Sequence, residues 1–182
     1  MTDTDRRAAN EPTAVQVRTD ADIPACVRAL EEVHRSDGYP VEGVEHAERW
    51  LFPDQLLQAW VVGRPDEVVA HAAVCRPDGE AAVSMLIDQT DLREDQIAVV
   101  ARLFVVPTAR GRALGTALAR AAMDYTRNCD RHVVFDVMAK DKAAIHLYES
   151  LGCVRLGTTM HAFGDNRQVP AYCYAAPGVL PS

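Results

Sequence analysis

The sequence predicts an α/β fold in which a mixed sheet is flanked by helices. Three observations carry this. Short apolar runs rich in β-branched residues alternate along the chain with segments of helical periodicity. The last two strand-like segments, residues 153–163 and 169–175, flank a Gly164-Asp165-Asn166 turn and so close the sheet with a hairpin. At the centre, the apolar run 99–106 ends at Pro107 and leads through a glycine-containing turn into a helix. Leu114, Ala117, Leu118, Ala121, Ala122 and Tyr125 form the apolar face of that helix, and Arg112, Arg120, Asp124 and Arg127 fall off it.

Each remaining element has its own signal. Residues 14–18 alternate weakly and read as a first strand. Thr19 or Asp20 caps a helix that tolerates Pro24 in its first turn and buries Ile23, Cys26, Val27, Leu30 and His34. Ser36-Asp37-Gly38-Tyr39-Pro40 breaks it, and a short helix follows over 44–51. Strands 59–62 and 68–75 form a hairpin around Gly63-Arg64-Pro65-Asp66. Val83, Leu86, Ile87 and Thr90 place a short helix within 80–90, and a polar connection leads to Gln96. Residues 131–138 read as a buried strand. Asp141 caps a helix with Ala144, Leu147, Tyr148 and Leu151 on one face, closed by Gly152.

With 182 residues, no internal repeat and no low-complexity linker, the chain reads as one domain over 14–177 behind a disordered tail, 1–13. A net charge of −7 disfavours a non-specific nucleic-acid binder and suits a cationic amine partner. No apolar run approaches the roughly 20 residues of a membrane span. The polar N-terminus does not resemble a secretory signal. The five cysteines are widely spaced without a Cys-x-x-Cys pair, so neither a metal site nor a disulfide framework is expected; buried thiols in a reducing cytoplasm are.

The central turn has the makings of an anion site. The first N–H groups of a helix have no partner within it, and the helix dipole adds positive charge there. Glycine admits close approach, and Arg110 and Arg112 bring fork-shaped donors. Arg110-Gly111-Arg112-Ala113-Leu114-Gly115 resembles the acyl-CoA-binding motif of the GCN5-related N-acetyltransferases: Gln or Arg, two residues, Gly, one residue, Gly or Ala. Ala113 stands where the motif has its first glycine. Residues 135–153 resemble the family's next strand and helix, in which Asn is followed at fixed spacing by Ala, Leu-Tyr-Glu and Gly-Phe. Here Asp141 replaces the Asn and Cys153 the Phe.

The resemblance implies a mostly antiparallel sheet whose central strands splay, with CoA in the gap. It places acetyl-CoA against Leu103, Phe104 and Val105 of the central strand, against Arg110, Gly111, Arg112, Ala113, Leu114, Gly115 and Thr116 of the turn, and against Asp141 and Tyr148. The implied reaction is direct attack of a small primary amine on acetyl-CoA. Tyr148 then protonates the leaving thiolate, a backbone N–H near Phe104 or Val105 holds the oxyanion, and a base takes the amine proton. The alternative for Tyr148 is a core aromatic on its helix. No acid occupies Val99-Val100-Ala101, where many members carry a Glu. Asp136 stands five residues before Asp141, where some members place their Glu; it is either that base, or a cap or the partner of a neighbouring arginine. Glu94 and Asp95 read as solvated.

Substrate contacts are expected, by the resemblance, from the first inter-helix loop and the last hairpin. The loop offers His34, Asp37, Tyr39, Glu42 and Glu45, an acidic balance that suits an amine or else reads as a solvated loop. His71 on its strand and His161 before the hairpin turn are further candidates, and for both histidines the competing reading is structural. Neither nucleic acid nor membrane is expected as a partner, and a homodimer is compatible with the family. Two rival readings remain: a transferase of the same fold taking its acyl group from aminoacyl-tRNA, and a non-catalytic CoA- or ligand-sensing module.

Overall fold

The computed structural model describes residues 14–163 and 167–180. The expected tail and the Gly164-Asp165-Asn166 turn lie outside the described residues.

Strand β1 (Val15–Val17) leads through a 3-10 turn, Asp20–Asp22, into α1 (Ile23–Asp37). Thr19 rather than Asp20 begins this entry. The Asp22 carboxylate accepts from the Thr19 backbone N–H at 2.7 Å and from its hydroxyl at 2.9 Å. The helix does not break at Ser36. It runs to Asp37 and stops at Gly38, whose φ of +66° reverses the chain. The next helix, α2 (Ala47–Leu51), is shorter than the expected 44–51, because turns around Gly43 (φ +96°) occupy the preceding residues.

Strands β2 (Leu56–Arg64) and β3 (Glu67–Cys75) extend the expected hairpin until only Pro65 and Asp66 join them. A Cβ on Gly63 would lie 2.2 Å from the Glu67 carbonyl oxygen, so only glycine lets the return strand begin so close. Then follow α3 (Ala81–Asp88), β4 (Ile97–Val105), α4 (Leu114–Asn128), β5 (His132–Met138), α5 (Lys142–Ser150), β6 (Val154–Phe163) and β7 (Arg167–Ala175). The Asp141 carboxylate caps α5 by accepting from the Ala144 N–H at 3.1 Å.

The seven strands form one sheet in the order β1-β2-β3-β4-β5-β7-β6, and only β4 and β5 run parallel. Alternation along each strand divides the core. Ala98, Val133, Phe135 and Tyr174 join α1 and α4 on one face. Ile97, Val99, Val134, Cys173 and Ala175 pack under α3 on the other. The buried stripe of α4 is Leu114, Gly115, Leu118, Ala119, Ala122, Met123 and Thr126, rotated from the expected one. Ala117, Ala121 and Tyr125 are only half-buried, since Tyr125 meets Trp60 edge-on at the rim, 5.4 Å between centroids. Four cysteines are buried, but Cys129, just past α4, is exposed, contrary to the expectation of buried thiols throughout.

The central strands splay. β4 pairs with β5 only over Ile97–Val99, opposite His132–Val134. Beyond Val99 a bulge intervenes: Ala101 faces Ala73, but the next paired residue, Phe104, faces His71. Arg102, within the bulge, has a φ of +56°. β4 therefore turns away from β5 while β5 continues along β7 to Met138, and a wedge opens between the parallel strands.

Candidate active site

The wedge opens onto a cleft of about 730 Å³. Its walls are the end of α1, the splayed half of β4, the turn before α4, the end of β5 and the first turns of α5. Ten expected acetyl-CoA contacts lie on it: Leu103, Phe104, Val105, Arg110, Gly111, Ala113, Leu114, Gly115, Thr116 and Asp141. Arg112 is not on the wall; its side chain is exposed beyond the turn. Tyr148 is not on the wall either.

The turn has the geometry of an anion cradle. Gly111 (φ +75°) and Ala113 (φ +57°) are both left-handed, and Ala113 is the N-cap of α4. The first helical bond runs from the Ala117 N–H to the Ala113 carbonyl. The N–H groups of Leu114, Gly115 and Thr116 therefore precede the ladder and have no helical acceptor. Gly115 leaves room for a side chain of α5, since a Cβ there would lie 2.9 Å from Leu147 Cδ1. Lys140 and Lys142 also line the cleft. Neither carries a separate signal in the sequence, although they flank Asp141 within the family-like segment 135–153.

Arg110 faces the cleft but is already occupied. Its guanidinium pairs with the Asp37 carboxylate at the end of α1, and its Nε donates to the Val105 carbonyl at 3.2 Å. The Arg110 hydrogen bond holds Asp37 below the usual carboxylate range. This pairing also reveals the strand's orientation. The Val106 N–H donates to Val69 of β3, and the Val105 carbonyl turns the other way, so by alternation the Val105 N–H points into the wedge.

Tyr148 packs against Phe135, 3.9 Å between ring centroids, and is 5% exposed. Burial, with Tyr39 next in effect, pushes its hydroxyl above the ordinary phenol range, so it stays protonated. Tyr39 lies on the cleft wall, edge-on to Trp50 at 5.8 Å; burial raises its hydroxyl likewise.

The remaining candidates are scattered. His34 is off the wall, its Nδ1 3.1 Å from the Pro40 carbonyl. His71 does not face the cleft. It is fully buried, with Nδ1 2.9 Å from the Arg102 carbonyl and Nε2 2.9 Å from the Arg18 guanidinium. Burial lowers its pKa to about 3, leaving it neutral. A neutral ring that accepts from Arg18 at Nε2 must donate at Nδ1, so His71 pins the bulge carbonyl. Asp136 stands opposite Cys173 and shares the parity of Val134, which puts it on the α3 face of the sheet; it is not itself on the cleft wall. It pairs with no arginine among the described residues; its neighbour there is His161, with Oδ2 and Nδ1 4.0 Å apart. No helix among the described residues is long and apolar enough to cross a membrane.

Known proteins share this fold. The chain is 29% identical over 108 residues to an uncharacterized N-acetyltransferase of Methanocaldococcus jannaschii, a match spanning 57% of this chain and 44% of that relative. The ribosomal-protein-alanine N-acetyltransferase of Brucella melitensis superposes with a TM-score of 0.67 over 89% of this chain and 98% of its own, at 17% identity. NAA60 of Arabidopsis thaliana, solved in complex with acetyl-CoA, gives 0.66 over 89% and 96%, also at 17% identity. The sequence pattern of the Acetyltransferase (GNAT) family matches residues 25–153, and with its central strands splayed over a helix-capped turn the chain belongs to that family.

Proposed function

We propose that the protein transfers the acetyl group of acetyl-CoA to the primary amine of a small molecule by direct attack, in the cytoplasm. The observation that carries this reading is the continuity of the cleft. It runs without interruption from the free N–H groups of Leu114, Gly115 and Thr116 to the wedge between β4 and β5. A pyrophosphate at the α4 turn would accept from those N–H groups, with Lys140 and Lys142 adding charge. The pantetheine arm would lie along Leu103 and Val105 and bring the thioester to the wedge. There the Val105 N–H supplies a donor for the oxyanion.

Tyr148, protonated and behind the wedge, is the donor for the departing thiolate. Asp136, on the opposite face, draws the ammonium of the acceptor toward the gap. Cofactor and acceptor thus approach from opposite faces of the sheet and meet where the strands part.

The test is calorimetric titration with acetyl-CoA and desulfo-CoA, followed by a screen of primary amines for thiol release. Micromolar binding with turnover of a small amine is the expected result. Absence of binding at millimolar acetyl-CoA would overturn the reading, and exclusive turnover of peptide N-termini would overturn its small-molecule part.

A further inference from the structure

On the α3 face of the sheet three side chains from separate segments converge: Glu42 from the α1–α2 loop, Asp136 from β5 and His161 from β6. Glu42 Oε1 lies 3.2 Å from His161 Nε2, and Asp136 Oδ2 lies 4.0 Å from His161 Nδ1. All three keep access to solvent, with 50%, 33% and 35% of the Glu42, Asp136 and His161 side chains exposed.

A carboxylate only accepts, so Nε2 carries the proton shared with Glu42, and Nδ1 of the neutral ring is a bare acceptor. It faces a second acceptor, Asp136 Oδ2, across a distance too long for a hydrogen bond. One nitrogen donor at an ordinary length of roughly 2.8–3.0 Å from each can reach both atoms. A primary ammonium is such a donor, and its charge suits the two carboxylates. Among the described residues no group of His, Cys, Asp and Glu is arranged to hold a metal ion. The location also fits. Met138, on the same side of β5 as Asp136, and Val41, next to Glu42, both lie on the cleft wall, past the point where β4 and β5 cease to pair.

We propose that Asp136 and His161 hold the acceptor as a primary ammonium and that His161 takes its proton, with Glu42 fixing the imidazole. The proposal rests on the acetyl-transfer reading above. One N–H proton moves to Nδ1, leaving a neutral amine and an imidazolium between two carboxylates. The amine lone pair then forms the C–N bond at the thioester carbon, and the C–S bond breaks with its electron pair on sulfur. Sulfur takes the Tyr148 hydroxyl proton. The nitrogen's remaining surplus proton restores the tyrosine through solvent, and the imidazolium gives its proton to bulk water, so each turnover releases one proton.

The groups facing His161 are Glu42 from the loop and Asp136 from β5. From β7 come Val169, opposite His161, and the Cys173 thiol, opposite Asp136; the Tyr39 phenol lies close to both carboxylates. Turnover of a primary amine, screened among spermidine, tyramine and an alanyl peptide, should fall in His161→Gln by roughly 10²–10³-fold in kcat, with acetyl-CoA affinity unchanged. Glu42 is a positioning residue: Glu42→Gln, whose amide oxygen can still accept the Nε2 proton, should hold kcat near the wild-type value, while Glu42→Ala should lower it without changing acetyl-CoA affinity. An unchanged rate in His161→Gln would overturn the proposal.

A second readout needs no turnover: the His161 ring signal, followed by NMR while the same amines are added with desulfo-CoA present. Its displacement, lost in Asp136→Asn, supports the site, and no displacement by any of them overturns it. Failure of acetyl-CoA itself to bind strikes the acetyl-transfer reading and leaves this NMR result to decide the ammonium site.

Discussion

Ala113 shows how much one methyl group matters. It holds a left-handed conformation at the N-cap of α4, where the family's motif has glycine. For an L-residue that conformation costs about 1–2 kcal/mol, against about 0.5–1 kcal/mol of entropy that a glycine would lose on folding. Ala113→Gly should therefore stabilise the fold by about 0.5 kcal/mol, a rise of one or two degrees in Tm, while Ala113→Val should lower it. Thermal unfolding of the pair checks this, and a lower Tm for the glycine variant would remove strain as the explanation. Tyr148 is the second such residue. A phenylalanine keeps its packing against Phe135, so Tyr148→Phe should fold normally and lose at least about 10²-fold in turnover, the share of a proton donor. Wild-type rates at equal stability would reduce Tyr148 to a core aromatic.

At the scale of elements, the bulge in β4 does the work of opening the sheet, and His71 holds it. Its Nδ1–H donates to the Arg102 carbonyl while Arg18 donates to Nε2. This arrangement requires a neutral ring. The folded pKa of about 3 lies below that of an unfolded histidine, so the unfolded chain binds the extra proton first. Stability from this group is complete above about pH 6.5 and is lost as pH falls from there toward 3. Between pH 7 and 5 the loss should be about 2 kcal/mol for the wild type, and His71→Gln should lack this component. Urea unfolding at the two pH values measures it; equal losses in both proteins would exclude His71 as the source. Most elements were legible beforehand because periodicity, caps and glycines act locally. The bulge was not, because nothing within Val100-Ala101-Arg102-Leu103 marks it. It depends on a histidine about thirty residues away in sequence that reads locally as an ordinary strand position.

At the scale of the whole molecule, the cleft joins distant segments, and the Arg110–Asp37 pair spans its mouth between the α4 turn and α1. Both side chains are substantially exposed, so the pair adds little to stability, about 0–1 kcal/mol. On the proposed reading its larger role is to hold a guanidinium beside the α4 turn where the pyrophosphate would sit. Arg110→Ala should weaken acetyl-CoA binding about tenfold by calorimetry, the weight of one charge-assisted contact, with Tm nearly unchanged. Unaltered affinity would show that the backbone N–H groups and the two lysines suffice. The sequence by itself determined the α/β class, the order of strands and helices, the strand–turn–helix cradle and the family resemblance. Those features are written in contiguous residues whose spacing and backbone preferences act over a few positions. Only the tertiary structure decided that His71 is a buried strut, that Arg110 is paired with Asp37, that Arg112 stands off the cleft, and that Glu42, Asp136 and His161 meet on the far face. Each of these depends on packing between segments far apart in the chain, where side-chain direction and burial are set by the sheet's register and splay.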